Sequence, residues 1–299
     1  MKKTVFIGSV LSSKVALKTL IKNDIKVDLV CSLDEEVSKN VSDYFPIHQV
    51  AKENKLPYLK FKKIDSSEVK EKIKEINPDF IFVIGLSQLI PQEILEMASD
   101  YSIGFHPTPL PKHRGRAAIP WQIILGVEES EVSLFKLDEG MDSGDIIAQY
   151  PYKIEKTDYA FDVYNKVCDA MIGALNDCLP KMYIDKVDFV KQNHEDATYL
   201  LVRRPEDGRI DWNKSALEIE KLIRATSRPY PGAFGIYKDK QVIIWKARVE
   251  RNTKYIGTPG QIAFVNDEIG VITNDGILII EEYEIEDSDN RFIIGHKLK

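Results

Sequence analysis

The residues best suited to chemistry fall in two short runs. One reads Gly104-Phe105-His106-Pro107-Thr108-Pro109-Leu110-Pro111-Lys112-His113-Arg114-Gly115-Arg116, the other Asp138-Glu139-Gly140-Met141-Asp142-Ser143-Gly144-Asp145. An imidazole and a carboxylate can both move protons at a reacting centre. His106 opens a stretch of six residues holding three prolines, which stiffen the backbone and suit a side chain that must be positioned. Taken singly, each residue also has a plain structural reading: His106 as a hydrogen-bonded structural histidine, Asp142 as a turn or cap residue, the glycines as turn makers. The two runs together are what suggest a site.

Such side chains need a frame. Short β-branched runs alternate with amphipathic stretches over roughly the first 180 residues, the pattern of an α/β doubly wound, mostly parallel sheet. Thr4–Ile7 and Lys26–Cys31 read as strands, with Ser13–Asn23 as the crossover helix. Pro46–Asn54 and Ser66–Ile76 read as helices, and Asn77-Pro78 ends the second. Phe80–Ile84 is apolar on both faces, as a central parallel strand should be. Pro91 starts a helix to about Ala98, and Tyr101–Phe105 is the next strand. Ligands of such sheets bind beyond the carboxyl ends of the strands, where Gly85–Gln88 and His106–Gly115 fall. Phe161, Tyr164, Val167, Cys168, Met171, Leu175 and Leu179 mark one packed helix face. The polar segment Lys191–Asp196 reads as a linker, and the remainder as one helix, Ser215–Thr226, followed by short strands. The expected division is residues 1–190 and 205–299, joined through about 191–204.

The 299 residues carry 29% charged side chains and a formal net charge of −6, no invitation to a nucleic-acid backbone or an anionic membrane. Cys31, Cys168 and Cys178 lack paired spacing and fit three small buried residues in a reducing compartment. Without a secretory leader or a run of roughly 20 apolar residues, a cytoplasmic location is expected, with no membrane partner.

Taken together, His106, Pro107, Leu110, Pro111, Arg114 and Gly115, then Met141-Asp142-Ser143-Gly144 and Ile146-Ile147, strongly resemble the two-part signature of the folate-dependent formyltransferases. Members of that family act on methionyl-tRNA, on glycinamide ribonucleotide and on the amino sugars of nucleotide-linked sugars. Val5-Phe6-Ile7-Gly8 and Leu89-Ile90-Pro91 extend the resemblance towards the N-terminus. Arg203-Arg204-Pro205-Glu206-Asp207-Gly208-Arg209-Ile210-Asp211-Trp212 and Pro229-Tyr230-Pro231-Gly232-Ala233-Phe234 extend it through the C-terminal part, so it covers nearly the whole chain.

The resemblance implies a Rossmann-like domain followed by a small β-rich, OB-like domain. It also implies 10-formyltetrahydrofolate as co-substrate, bound by Leu86, Ser87, Gln88, Leu89, Ile90, Pro91, Asp138, Gly140 and Asp142. Substrate contacts would come from Pro107, Thr108, Arg114, Gly115, Arg116, Arg203 and Arg204. His106 would donate to the oxyanion formed when an amine attacks the formyl carbon; Asp142 would take the amine's proton and orient the imidazole. No metal is implied, nor a cysteine or serine nucleophile. The chain departs from the pattern at Gly104, where the family carries an asparagine that adds a second oxyanion donor. Ser102, Thr108, Ser87 and Gln88 are the candidates to replace it.

For the acceptor, the methionyl-tRNA members resemble one another in a basic insertion after the second strand. Here that place reads Ser32-Leu33-Asp34-Glu35-Glu36-Val37, and Arg114-Gly115-Arg116-Ala117 looks more like the sugar branch. A nucleotide-linked amino sugar is therefore the expected substrate, with tRNA the alternative and a folate-binding relative without turnover a third reading. A homodimer is possible, with Ile277–Ile285 as an edge or interface.

Overall fold

Strand β1 (Thr4–Gly8) is buried along its whole length, as a strand covered on both faces must be. In the computed structural model, which describes residues 2–39, 41–251, 254–266, 268–285 and 291–299, it forms the middle of a sheet. Four parallel neighbours flank it: β2 (Leu29–Leu33), β3 (Tyr58–Phe61), β4 (Phe80–Val83) and β5 (Tyr101–His106). A two-residue strand β6 (Arg114–Gly115) follows, then the hairpin β7 (Glu129–Lys136) and β8 (Ile146–Lys153), in which β7 runs antiparallel to β5 and β8 antiparallel to β7. The order is β3-β2-β1-β4-β5-β7-β8, so the winding reverses between β1 and β4, and the crevice of a doubly wound sheet opens beyond their carboxyl ends.

Helices α1 (Leu11–Lys22), α2 (His48–Glu53), α3 (Ser67–Ile76) and α4 (Gln92–Leu95) connect the parallel strands; α5 (Ala118–Leu125) precedes β7, and α6 (Ala160–Met182) follows β8. Asn77 ends α3 in the left-handed conformation, just before Pro78. Strand β9 (Tyr199–Leu200) returns to pair with β6. Beyond it come α7 (Ala216–Thr226), opened by a Ser215–Glu218 capping box, and five strands: β10 (Ala233–Tyr237), β11 (Lys240–Glu250), β12 (Ile262–Val265), β13 (Ile269–Ile272) and β14 (Ile277–Ile285).

The chain divides into two compact units, one of residues 1–118, 129–153 and 165–200, the other of 119–128, 154–164 and 201–299. Val5, Ile7, Cys31, Ile73 and Ile81 belong to the core of the first. Trp212, Ile223, Tyr237, Ile244 and Val271 belong to that of the second, an antiparallel sheet ordered β10-β11-β14-β13-β12. The two edges of that sheet are linked by the C-terminal segment: Ile236 of β10 and Lys299 exchange amide–carbonyl hydrogen bonds, and Ile262 of β12 donates to the His296 carbonyl and accepts from the Gly295 amide, the kind of closure an OB-like domain needs. No helix among the described residues is long and apolar enough to cross a membrane. The three cysteines are unbonded and buried, which pushes each thiol up to about 12.

Several expectations need correction. β2 starts at Leu29, because Asp28 uses its carboxylate and amide to cap the start of β1 at Thr4. α4 is a single turn, since the chain must fold back for Ser99 to reach the Pro78 carbonyl. Phe161 is 47% exposed and lies off the packed face of α6. β14 is an inner strand, paired with β11 and, over Ile277–Ile280, with β13, so that part offers no free edge. Residues 191–200 are not a loose linker: Gln192 is buried and Tyr199–Leu200 is sheet. Truncating Phe82, fully buried in β4, to alanine is expected to cost about 3–5 kcal/mol in the unfolding of the unit that holds it, measured by urea titration.

Candidate active site

β5 ends at His106, and the loop after it is pinned from several sides. Ser133 of β7, opposite His106 in register, donates its hydroxyl to the Thr108 carbonyl at 2.7 Å and accepts from Leu110 N at 3.2 Å. Tyr152 donates its hydroxyl to the Pro107 carbonyl at 2.9 Å. The loop then turns at His113, a left-handed residue with φ 61°, and pairs with β9 through Arg114 and Gly115.

His106 is 6% exposed, and its Nε2 lies 2.7 Å from the His113 carbonyl. A carbonyl only accepts, so Nε2 carries a proton. The lone pair of the neutral ring is then on Nδ1, 3.7 Å from Asp142 Oδ2, an ion-pair separation beyond hydrogen-bond reach. The His113 carbonyl, rather than Asp142, therefore orients the imidazole. Burial, with Lys112 and His106 alongside, pushes the His113 imidazole itself below its ordinary value, which favours a neutral neighbour for His106.

Asp142 sits in the β7–β8 connection with φ 49°, a conformation uncommon for a non-glycine residue. Its Oδ2 accepts from the Gly115 amide at 2.8 Å. Gly115 has φ 108°, and a β-carbon there would overlap the Leu200 carbonyl oxygen, so the close approach requires glycine. Asp138 builds the same connection, accepting from Gly140 N at 3.0 Å and from the Ser143 hydroxyl at 2.8 Å. The main chain is held by Gln192, whose Nε2 donates to the Asp142 carbonyl at 2.8 Å and to the Gly144 carbonyl at 2.7 Å. Gln192 Oε1 in turn accepts from Arg114 Nε at 3.1 Å and Nη2 at 2.6 Å. The resulting pair can exchange a proton at an acceptor atom and stabilise a developing negative charge, the two needs of acyl transfer to an amine.

Other expected site residues have different work. Ser102 donates to the Leu95 carbonyl at 2.9 Å, and Thr108 to the Lys112 and His113 carbonyls at 2.9 and 3.2 Å, so neither hydroxyl is free to donate to an oxyanion. Gln88 bridges the Lys62 carbonyl and the Ile64 amide, using both ends of its side chain. Arg114 is 2% exposed and points into the protein, so it serves as a strut and not as a surface cation for a substrate. The place beside Gly104 is apolar: a β-carbon there would lie 2.6 Å from Leu137 Cδ2 and 2.9 Å from Phe135 Cζ.

Ser87 and Leu89 are exposed beyond β4, while Leu86 and Ile90 pack on the first core and Pro91 caps α4. Arg116 is exposed. Arg203 and Arg204 belong to the second unit, where Arg203 lies over the Trp121 ring at 4.9 Å and donates to the Asp207 carbonyl. Gln192, Leu137 and the His113 carbonyl carry no sequence signal of their own: a polar linker-like residue, an apolar residue after a strand, and a main-chain atom.

Residues 2–179 match the family model described as formyl transferase, and residues 203–290 the one described as formyl transferase, C-terminal domain. Over 256 residues the chain is 34% identical to a methionyl-tRNA formyltransferase of Clostridioides difficile (strain 630), covering 85% of this chain and 82% of that one. The fold is similar to the N-formyltransferase from Helicobacter canadensis in complex with folinic acid and dTDP-3-aminofucose, at a TM-score of 0.68 and 20% identity over 95% of this chain and 100% of that one. It is also similar to HypX from Aquifex aeolicus in complex with tetrahydrofolic acid, at 0.67 and 18% over 96% of this chain, which spans 45% of the HypX chain.

Two substitutions test this geometry. Asp142→Asn keeps an oxygen for the Gly115 amide but removes the base, and should lower kcat by about 10²–10⁴-fold while leaving the thermal midpoint within a few degrees. Gly104→Asn should destabilise by about 1–3 kcal/mol through overpacking, and Leu137→Ala in the same chain should restore much of the loss in a double-mutant cycle.

Proposed function

Because the chain belongs to the formyl transferase family, we propose that it carries the formyl group of 10-formyltetrahydrofolate to the primary amine of a nucleotide-linked amino sugar. The amine nitrogen bonds to the formyl carbon as the carbonyl becomes an oxyanion; Nδ1 of His106, a bare acceptor in the neutral ring, can donate to it only in the imidazolium form. Asp142 takes the ammonium proton, directly or through water, and returns it to the folate nitrogen as collapse of the adduct breaks the bond between that nitrogen and the formyl carbon. With Leu137 and Phe135 filling the place beside Gly104, His106 bears the oxyanion without help from a side chain at that position. The loop Leu86–Pro91, next to the end of β5 across the β4–β5 pairing, supports folate binding at the crevice.

The choice of acceptor rests on the charge at the end of β2. Lys60 lies 2.6 Å from Glu35 and 3.3 Å from Asp34, and Lys62 lies 2.5 Å from Glu36. Lys60 holds the Glu35 carboxyl below its ordinary value. Lysines neutralised in this way do not make the clustered positive surface that a phosphate backbone needs. A small acceptor with one diphosphate asks for less, and the exposed Arg116 beside the site suits it. Transfer to methionyl-tRNA is the second reading, favoured by the 34% identity to the Clostridioides difficile enzyme.

Thermal stabilisation by a panel of amino-sugar nucleotides, run beside filter binding of initiator methionyl-tRNA across a salt series, separates the two. The sugar reading predicts a midpoint rise with at least one nucleotide sugar and tRNA binding too weak to measure at 150 mM salt. Tight, salt-dependent tRNA binding with no response to any sugar would overturn it.

A further inference from the structure

We infer that Gln192, braced by the buried Arg114 guanidinium, is a positioning residue for the formyl transfer, holding the Asp142 carboxylate where His106 can use it. The inference deepens the transfer reading above and rests on it.

Arg114 has no carboxylate within ion-pair reach among the described residues. Its guanidinium meets Gln192 Oε1, His194 Nδ1 at 3.2 Å and the Tyr199 hydroxyl at 3.5 Å, all neutral acceptors. A buried cation is costly without a counter-charge, and a glutamate in place of Gln192 would supply one. A glutamate, however, has no protons to donate. Gln192 uses both of its amide protons on the carbonyls of Asp142 and Gly144, the residue that carries the base and its neighbour two positions on. Because Nε2 faces two carbonyls and Oε1 faces a guanidinium, only one orientation of the amide satisfies both ends. The amide is thus suited to fixing the loop, while it leaves the guanidinium without a counter-charge.

What the strut fixes is specific. Asp142 is held in a left-handed conformation, and its carboxylate reaches the Gly115 amide, one residue from Arg114. His106 is tied to the His113 carbonyl, one residue to the other side. Releasing the Asp142 main chain therefore changes the His106–Asp142 separation without touching either side chain. A displacement near 1 Å at a reacting group can lower rate about 100-fold.

The test uses Gln192→Glu in the full chain, with turnover scored per folate-binding site so that unfolded protein does not count, and with whichever acceptor, sugar nucleotide or tRNA, supports turnover in the parent protein. The expected result is a kcat lower by about 10- to 100-fold, a folate KM within about three-fold, and an unchanged or raised thermal midpoint. The Gly115 amide should also exchange with deuterium faster, because Asp142 no longer accepts its hydrogen bond. Arg114→Lys, which keeps a cation but loses the two-point grip on Gln192, should loosen the same amide. A kcat within two-fold of the parent, or an unchanged Gly115 amide in both variants, overturns the inference. Amide exchange needs no acceptor, so it still decides the role of Gln192 if the amino-sugar reading fails.

Discussion

Three consecutive residues, His113, Arg114 and Gly115, hold both halves of the site, and each does so with a different group. The His113 carbonyl accepts a hydrogen bond from Nε2 of His106, the Gly115 amide donates to Asp142, and the Arg114 side chain reaches the Asp142 main chain through Gln192. Two of the three are main-chain atoms, whose positions depend only on the path of the backbone. That path is set by pairing with Tyr199–Leu200 and by the Arg114 amide donating to the Thr198 carbonyl. A segment far along the chain therefore fixes the centre as firmly as the sheet that carries His106.

This construction brings unfavourable local terms with it. His113, Ala117 and Asp142 all have positive φ, each a strained choice for a residue with a side chain. Arg114 is a buried charge satisfied by neutral groups. Such features persist where surrounding packing over-determines them, and here the cross-links from Ser133, Tyr152 and Gln149 to the loop supply that support. The same packing closes the space beside Gly104 with Leu137 and Phe135, so no polar side chain stands at that place.

Much of the frame was legible in the sequence. Apolar runs such as Val5–Ile7 and Phe80–Val83 must be buried on both faces, and the Asn77-Pro78 break can hardly be anything but a helix end. The two runs that hold His106 and Asp142 come together in the fold, with Nδ1 of the one 3.7 Å from Oδ2 of the other. The roles of polar side chains were less legible. Ser102 and Thr108 have hydroxyls in the right place along the chain, but short hydroxyl side chains readily turn to nearby carbonyls, as both do here. Arg114 reads as a surface cation until its burial is seen, and Gln192 reads as linker because a polar run looks the same whether solvated or bound. The neighbour of Gly104 arises from pairing across β5 and β7, which no local pattern records.

The chemistry turns on the orientation of the His106 ring. Nitrogen NMR of the protein with labelled histidines, taken at a pH where His106 is neutral, reports which ring nitrogen holds the proton. His106 is expected to show a protonated Nε2 and a bare Nδ1. A protonated Nδ1 with a bare Nε2 would contradict that orientation, because the His113 carbonyl would then face a lone pair and the nitrogen facing Asp142 could not take up a proton.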